Sequence, residues 1–201
     1  MPRAHAAVAA LADEDTRVDR AREGDARAWT EIVEDLGPTL RGYARARGIR
    51  DADDVMQDVF VAAASRIGDF EGDWKSFRSW MFSICYRQIV NRYRSKHKDG
   101  VALPMTLADE AEPSPEEAIV SQVEASQAMR ALNVLSEIER DVVLMRVIGD
   151  LDTGEVADAV GKTKGNVRVI QHRAMEKIRA ELERLGYGNV ADDKIEKRRT
   201  R

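Results

Sequence analysis

The chain has 201 residues, with 32 Lys plus Arg against 36 Asp plus Glu and a formal charge of −4. That length holds one large domain or two small ones, and a hydrophobic share of 43% excludes wholesale disorder. The single cysteine, Cys85, excludes an internal disulfide and a cysteine-built metal site, and the whole-chain acidity weighs against a nucleic-acid partner.

Taken from the N-terminus, residues 1–16 read as a loose tail, too short and too polar for a signal peptide. No run reaches the ~18 apolar residues of a membrane span, and a soluble, cytoplasmic protein is expected. Val18, Ala21, Trp29, Ile32, Val33 and Leu36 then recur at helical spacing, with Gly37-Pro38 as the expected stop. Pro38 suits the first turn of a second helix through Leu40, Tyr43 and Ala44, closed by Gly48. Asp51 is the expected cap of a third helix carrying Val55, Val59, Phe60, Ala63 and Ile67. After a turn-rich break at 68–73, a long helix from Trp74 to about Arg94 aligns Phe77, Trp80, Met81, Ile84 and Cys85.

Composition then shifts. Residues 96–120 contain Gly100, Pro104, Pro113 and Pro115 among acidic side chains and read as a linker. Helices are expected again at 123–135, 137–148, 153–160 and 163–185, followed by a polar tail at 187–201. No segment alternates like a strand. The fold class is all-α: two small helical domains, 17–95 and 121–186, on a Pro-containing acidic tether.

Charge divided by segment reverses what the whole-chain sum suggests. Residues 121–160 hold 3 basic and 8 acidic side chains, whereas 161–186 hold 7 and 3, giving +4 on one helix. Screening makes the relevant field local, within ~8–10 Å, so a basic helix in an acidic chain still binds phosphate.

Residues 151–168 follow the pattern of a helix-turn-helix. Asp152 or Thr153 caps a short helix with Val156, Ala157 and Val160 inward, Gly161 makes the turn, and Thr163 caps the next helix. Lys164, Asn166, Arg168 and Gln171 are of types that hydrogen-bond bases and phosphates, with Val167, Ile170, Ala174, Ile178 and Leu182 on the other face. In the N-terminal block, Arg87, Asn91 and Arg94 share a helix face near Trp74, Trp80, Tyr86 and Tyr93, a mixture suited to unpaired bases. Asp53, Asp54, Gln57 and Asp58 form an acidic face, either solvated or a dock for a basic protein. No histidine has a triad partner, and there is no glycine-rich phosphate loop. Catalysis and a cofactor are not expected.

With these residues in place, 18–185 resembles the small, two-domain extracytoplasmic-function (ECF) sigma factors of bacterial RNA polymerase. The resemblance rests on Asp51-Ala-Asp-Asp-Val-Met-Gln-Asp-Val-Phe, on the helix from Phe77 to Arg94, on residues 132–146, and on the helix-turn-helix. It implies that Asp53, Asp54, Gln57 and Asp58 dock on the β′ clamp helices of core polymerase. It implies that the 68–75 loop with Lys75, Arg78, Arg87, Asn91 and Arg94 captures the opened −10 strand. Lys164, Asn166, Arg168 and Gln171, with Arg173 on phosphate, would read −35 promoter DNA. It further implies contact with the polymerase β subunit, an anti-sigma protein covering both domains, and no homo-oligomer. Asn91 stands where many relatives carry Asp, and Val169 and Ile170 where many carry polar residues. The other readings are a free-standing helix-turn-helix regulator and a helical scaffold or enzyme with no nucleic-acid role.

Overall fold

The computed structural model describes residues 16–98 and 130–186, which form helices and turns with no strand among them. The expected tails, nearly all of the linker and the start of the helix expected at 123 lie outside these residues.

Residues 16–22 form a first helix, α1, which stops at Gly24 in the left-handed region (φ +89°). Asp25 starts the next helix, α2 (Ala26–Ala46), by accepting from the Arg27 amide at 2.8 Å. The expected stop at Gly37-Pro38 is therefore incorrect: α2 runs through both residues. Pro38 and Glu34 are both exposed, so the carbonyl that the ring deprives of an N–H donor lies on the solvent side of α2. Ile32, Leu36, Leu40 and Tyr43 are buried along the other side, and that burial outweighs the proline penalty.

The third helix, α3 (Ala52–Ala64), begins after Asp51 as expected, although the Asp51 side chain makes no capping bond. Ile67 lies beyond it in a 3₁₀ turn (Ile67–Asp69), and α4 (Trp74–Lys98) extends four residues past the expected end near Arg94. Across the undescribed segment, residues 130–133 form α5. Then come α6 (Glu137–Val147), entered through a Ser136–Glu139 capping box, α7 (Thr153–Val160) and α8 (Lys164–Arg184).

The two blocks do not stand apart. Buried residues from Val18 to Ile89 are continuous with Val142, Leu144, Met145, Leu151, Val156 and Val167 in one core. A smaller cluster of Leu135, Val143 and Ala174 closes the far side of the C-terminal block. This shared core explains why α4 is buried beyond its predicted face, with Ser79, Phe82 and Ser83 also covered. Trp80, expected in the core, is only half-buried, whereas Trp74 is buried, stacked on Phe77 and covered by Arg17.

Candidate nucleic-acid interface

The helix-turn-helix is built from short-range chemistry. Asp152 accepts from the Gly154 and Glu155 amides, while the Glu155 carboxylate accepts from the Asp152 amide. Gly161 ends α7 at φ +66°, a conformation that costs a Cβ-bearing residue ~1–2 kcal/mol. Thr163 Oγ1 then accepts from the Asn166 amide at 3.2 Å. Val167 and Ala174 anchor α8 from below, with Ile170 and Ile178 half-buried.

These anchors fix which side of α8 meets solvent. Lys164, Asn166, Arg168 and Arg173 are exposed, and none has a side-chain partner among the described residues. Gln171 is half-buried at the edge of that face. The helix N-terminus adds partial positive charge where an approaching phosphate would sit.

On α4 the predicted residues divide. Arg87, Asn91 and Arg94 are exposed on one side. Lys75 and Arg78, about two to three turns before Arg87, are engaged by the C-terminal block. Lys75 Nζ donates to Asp152 Oδ2 at 2.5 Å, and Arg78 Nη2 donates to the Gly149 carbonyl at 2.5 Å. The Lys75 ammonium holds the Asp152 carboxyl well below the usual carboxylate range, helped by the Glu155 amide, and Asp152 raises Lys75 in turn. Ser79 Oγ donates to the Glu155 carbonyl at 2.8 Å. Lys75, Arg87 and Lys164 consequently line one cleft of about 410 Å³, together with Trp80 and Asp158. A second, open recess beside Trp80 is lined by Arg66, Asp69, Phe70 and Glu71 of the 68–75 loop region.

Asp53, Asp54, Gln57 and Asp58 all lie on the exposed side of α3, with Val55, Met56 and Val59 buried beneath them. Asp53 pairs with Arg41 at 2.7 Å and Asp58 with Arg92 at 2.6 Å, leaving Asp54 and Gln57 without side-chain partners among the described residues. No group of three or more His, Cys, Asp or Glu among the described residues is placed to hold a metal ion. Cys85 is buried, and burial pushes its thiol up, away from reactivity.

Sequence reading missed the polar contacts between the blocks. Asp141 carried a signal: it lies three residues after Ile138 and four before Met145, a charge inside an apolar stripe. Arg47, four residues after buried Tyr43, carried a similar one.

Residues 32–98 match the family model for sigma-70 region 2, and residues 131–180 match that for sigma-70 region 4. The chain is 30% identical to the ECF RNA polymerase sigma factor ShbA of Streptomyces griseus, over 81% of this chain and 92% of that protein. It is 29% identical to the ECF RNA polymerase sigma factor SigD of Mycobacterium tuberculosis, over 86% and 85%. The solved structure of CnrH in complex with the cytosolic domain of CnrY aligns with a TM-score of 0.66 at 25% identity, covering 85% of this chain and 97% of CnrH. A helix-turn-helix with an exposed polar face on α8, a basic and aromatic α4 and these relatives lead to one conclusion: the chain belongs to the ECF group of sigma-70 RNA polymerase sigma factors, which direct promoter-specific transcription initiation.

Proposed function

We propose that this chain is a promoter-specificity subunit without chemistry of its own, acting in the cytoplasm on core polymerase. The observation that carries the reading is the presence of two different nucleic-acid faces in one chain. The face on α8 is suited to duplex, because a helix end with exposed Lys164, Asn166 and Arg168 fits a major groove. The face on α4 is suited to single strands, because Arg87, Asn91 and Arg94 stand near half-buried Trp80 and Tyr86.

In this reading Asp53, Asp54, Gln57 and Asp58 bind the β′ clamp helices. Arg87, Asn91 and Arg94, with Lys75 and Arg78, hold the −10 strand. Lys164, Asn166, Arg168, Gln171 and Arg173 contact the −35 duplex. Strand opening is driven by trapping unpaired bases, not by nucleotide hydrolysis. Core polymerase joins the two weak readers into one specific one, since linked contacts gain effective concentration. An anti-sigma protein is the expected inhibitor, by analogy with CnrH, which was solved bound to a partner protein domain. The free-standing regulator is not favoured, because both sigma regions are present in order.

The test is reconstitution with core polymerase and a genomic promoter library, expecting sequence-specific transcripts. Folded protein and active core that yield no promoter-dependent transcript overturn the reading. Within that assay, Asp54→Arg with Asp58→Arg should weaken core binding by about a hundredfold through charge reversal, leaving helicity unchanged. Unaltered core binding removes the docking role from α3.

A further inference from the structure

The outermost ridge of α8 carries no polar group over its first two turns. Val167 and Ala174 are fully buried beneath the helix, and Ile170 packs against the main core. At 3.6 residues per turn, a position two residues from Val167 lies about 200° around the axis, on the side away from the protein. Gly165 and Val169 hold those two positions, one turn apart. Asn166 and Arg168 stand about 100° to either side of Val167 and so flank the ridge, and Arg173 and His172 continue the two flanks. All four flanking side chains are exposed, and Val169 between them is 48% exposed.

Neither ridge residue is explained by the fold. Gly165 has ordinary helical backbone, and a Cβ there would meet nothing within 4 Å. Within a helix, glycine is a poorer choice than any residue but proline. The bare backbone leaves a hollow beside the Val169 isopropyl group, since residues four apart are neighbours on a helix surface. An isolated exposed valine is ordinary on a protein surface. Val169 differs from exposed Val61 and Val147 in its place, between four side chains suited to bases and phosphates on the helix that enters the groove.

In a major groove the flanks of an inserted helix face the two strands, and its outer ridge faces the floor of base edges. That floor offers a single apolar substituent, the C5 methyl of thymine, among donors and acceptors. We propose that Val169 is a specificity-determining residue that reads a thymine C5 methyl in the −35 element, with Gly165 giving the clearance that lets the methyl reach it. The assignment rests on the sigma-factor reading and deepens it. The contact expels water from two apolar surfaces and needs no hydrogen bond. A C·G pair at the same position offers an amino donor and no methyl to a side chain that accepts nothing. Val169 thus selects T·A at a position where Asn166 and Arg168, on the flanks, do not reach.

The test uses the full chain with core polymerase on promoters from the genomic library, their −35 element randomised. Wild-type holoenzyme should select thymine at one or more −35 positions. Deoxyuridine in place of the thymine that Val169 reads removes the methyl and keeps every hydrogen-bonding group. It should lower initiation about fourfold when holoenzyme is limiting, as expected for one methyl-sized group left unburied. At the same position, 5-methylcytosine should initiate better than cytosine by about the same factor. Val169→Ala should initiate equally on thymine and deoxyuridine promoters, with a melting temperature no lower than wild type. Gly165→Ala fills the hollow while favouring the helix, so it should raise the melting temperature and yet remove the response to the methyl.

A wild-type holoenzyme that responds to the methyl of no −35 thymine overturns the proposal. A response that survives in Val169→Ala also overturns it, because another side chain then reads the methyl. A full response in Gly165→Ala overturns the clearance assigned to Gly165. Folded wild-type chain and active core that give no promoter-dependent transcript overturn the sigma-factor reading and this proposal with it, whereas the other failures are seen on active promoters, so the two are distinguishable.

Discussion

Region 2 and region 4 bury their apolar residues in different ways. Region 2 supplies most of the shared core, with Ile32, Leu40, Phe77, Met81 and Ile89 inaccessible and Tyr43 and Phe82 lying against region 4. Region 4 has the small cluster of Leu135, Val143 and Ala174, while Val142, Met145, Leu151 and Val156 continue the core of region 2. The contrast follows from size, because three short helices and one long one leave more surface per residue than they can cover alone. Region 2 is thus the body of the fold and region 4 the part that leans on it.

Phe77→Ala removes a fully buried ring packed against Phe70, Trp74 and Trp80, and should cost about 3–5 kcal/mol, with loss of promoter-dependent transcription. Val143→Ala in the satellite cluster removes two methyl groups and should cost ~1–2 kcal/mol. Denaturant unfolding with region-specific probes reads both. Equal costs would mean that region 4 carries as much of the core as region 2.

Arg168 is exposed and without a side-chain partner among the described residues, so Arg168→Ala should cost the holoenzyme ~1–3 kcal/mol of −35 discrimination and leave the melting temperature unchanged. Arg78 instead donates to the Gly149 carbonyl, so Arg78→Ala should lower the melting temperature as well as weaken −10 capture. A drop in melting temperature for Arg168→Ala would place that side chain in the packing. Smaller still, Gly161→Val forces a β-branched residue into the left-handed region at ~1–2 kcal/mol. Hydrogen exchange should then accelerate in α7 and α8 while α2 and α3 keep their protection.

How far the sequence reveals the molecule follows the same division. Local chemistry is readable: Asp152, Gly161 and Thr163 place the helix-turn-helix, and Trp74 starts α4 where expected. The exposure of Lys164, Asn166 and Arg168 also follows, since Val167 and Ala174 fix the opposite face. What stays hidden depends on long-range packing. Gly37-Pro38 looks like a stop until the burial of Leu36, Leu40 and Tyr43 is known. Lys75 and Arg78 look free until Asp152 and Gly149 are brought to them. A composition rich in prolines at 104–115 suggests separation, and nothing local announces that the regions share a core.

The smallest expected effect concerns protons at the contact between the regions. Burial raises the Asp141 carboxyl to about 6, against the opposing pull of Arg47 and the Tyr43 hydrogen bond. The groups facing it are Tyr43 from α2 and Arg47 just past its end, Cys85, Tyr86 and Tyr93 from α4, and Glu137 and Arg140 on its own helix. In the unfolded chain the carboxyl returns toward its ordinary value near ~3.9. Folding therefore takes up a proton between those two values. The contribution is complete below the lower value and is lost as pH rises through about 6. Moving from pH 7.5 to 5.5 should thus stabilise the fold by about 1 kcal/mol through this group alone. Denaturant unfolding at the two pH values tests it, with Asp141→Asn expected to flatten the dependence because the amide cannot titrate. A contribution of opposite sign would mean that the Arg47 charge, not burial, governs Asp141, and that the ion pair is a net attraction between the regions.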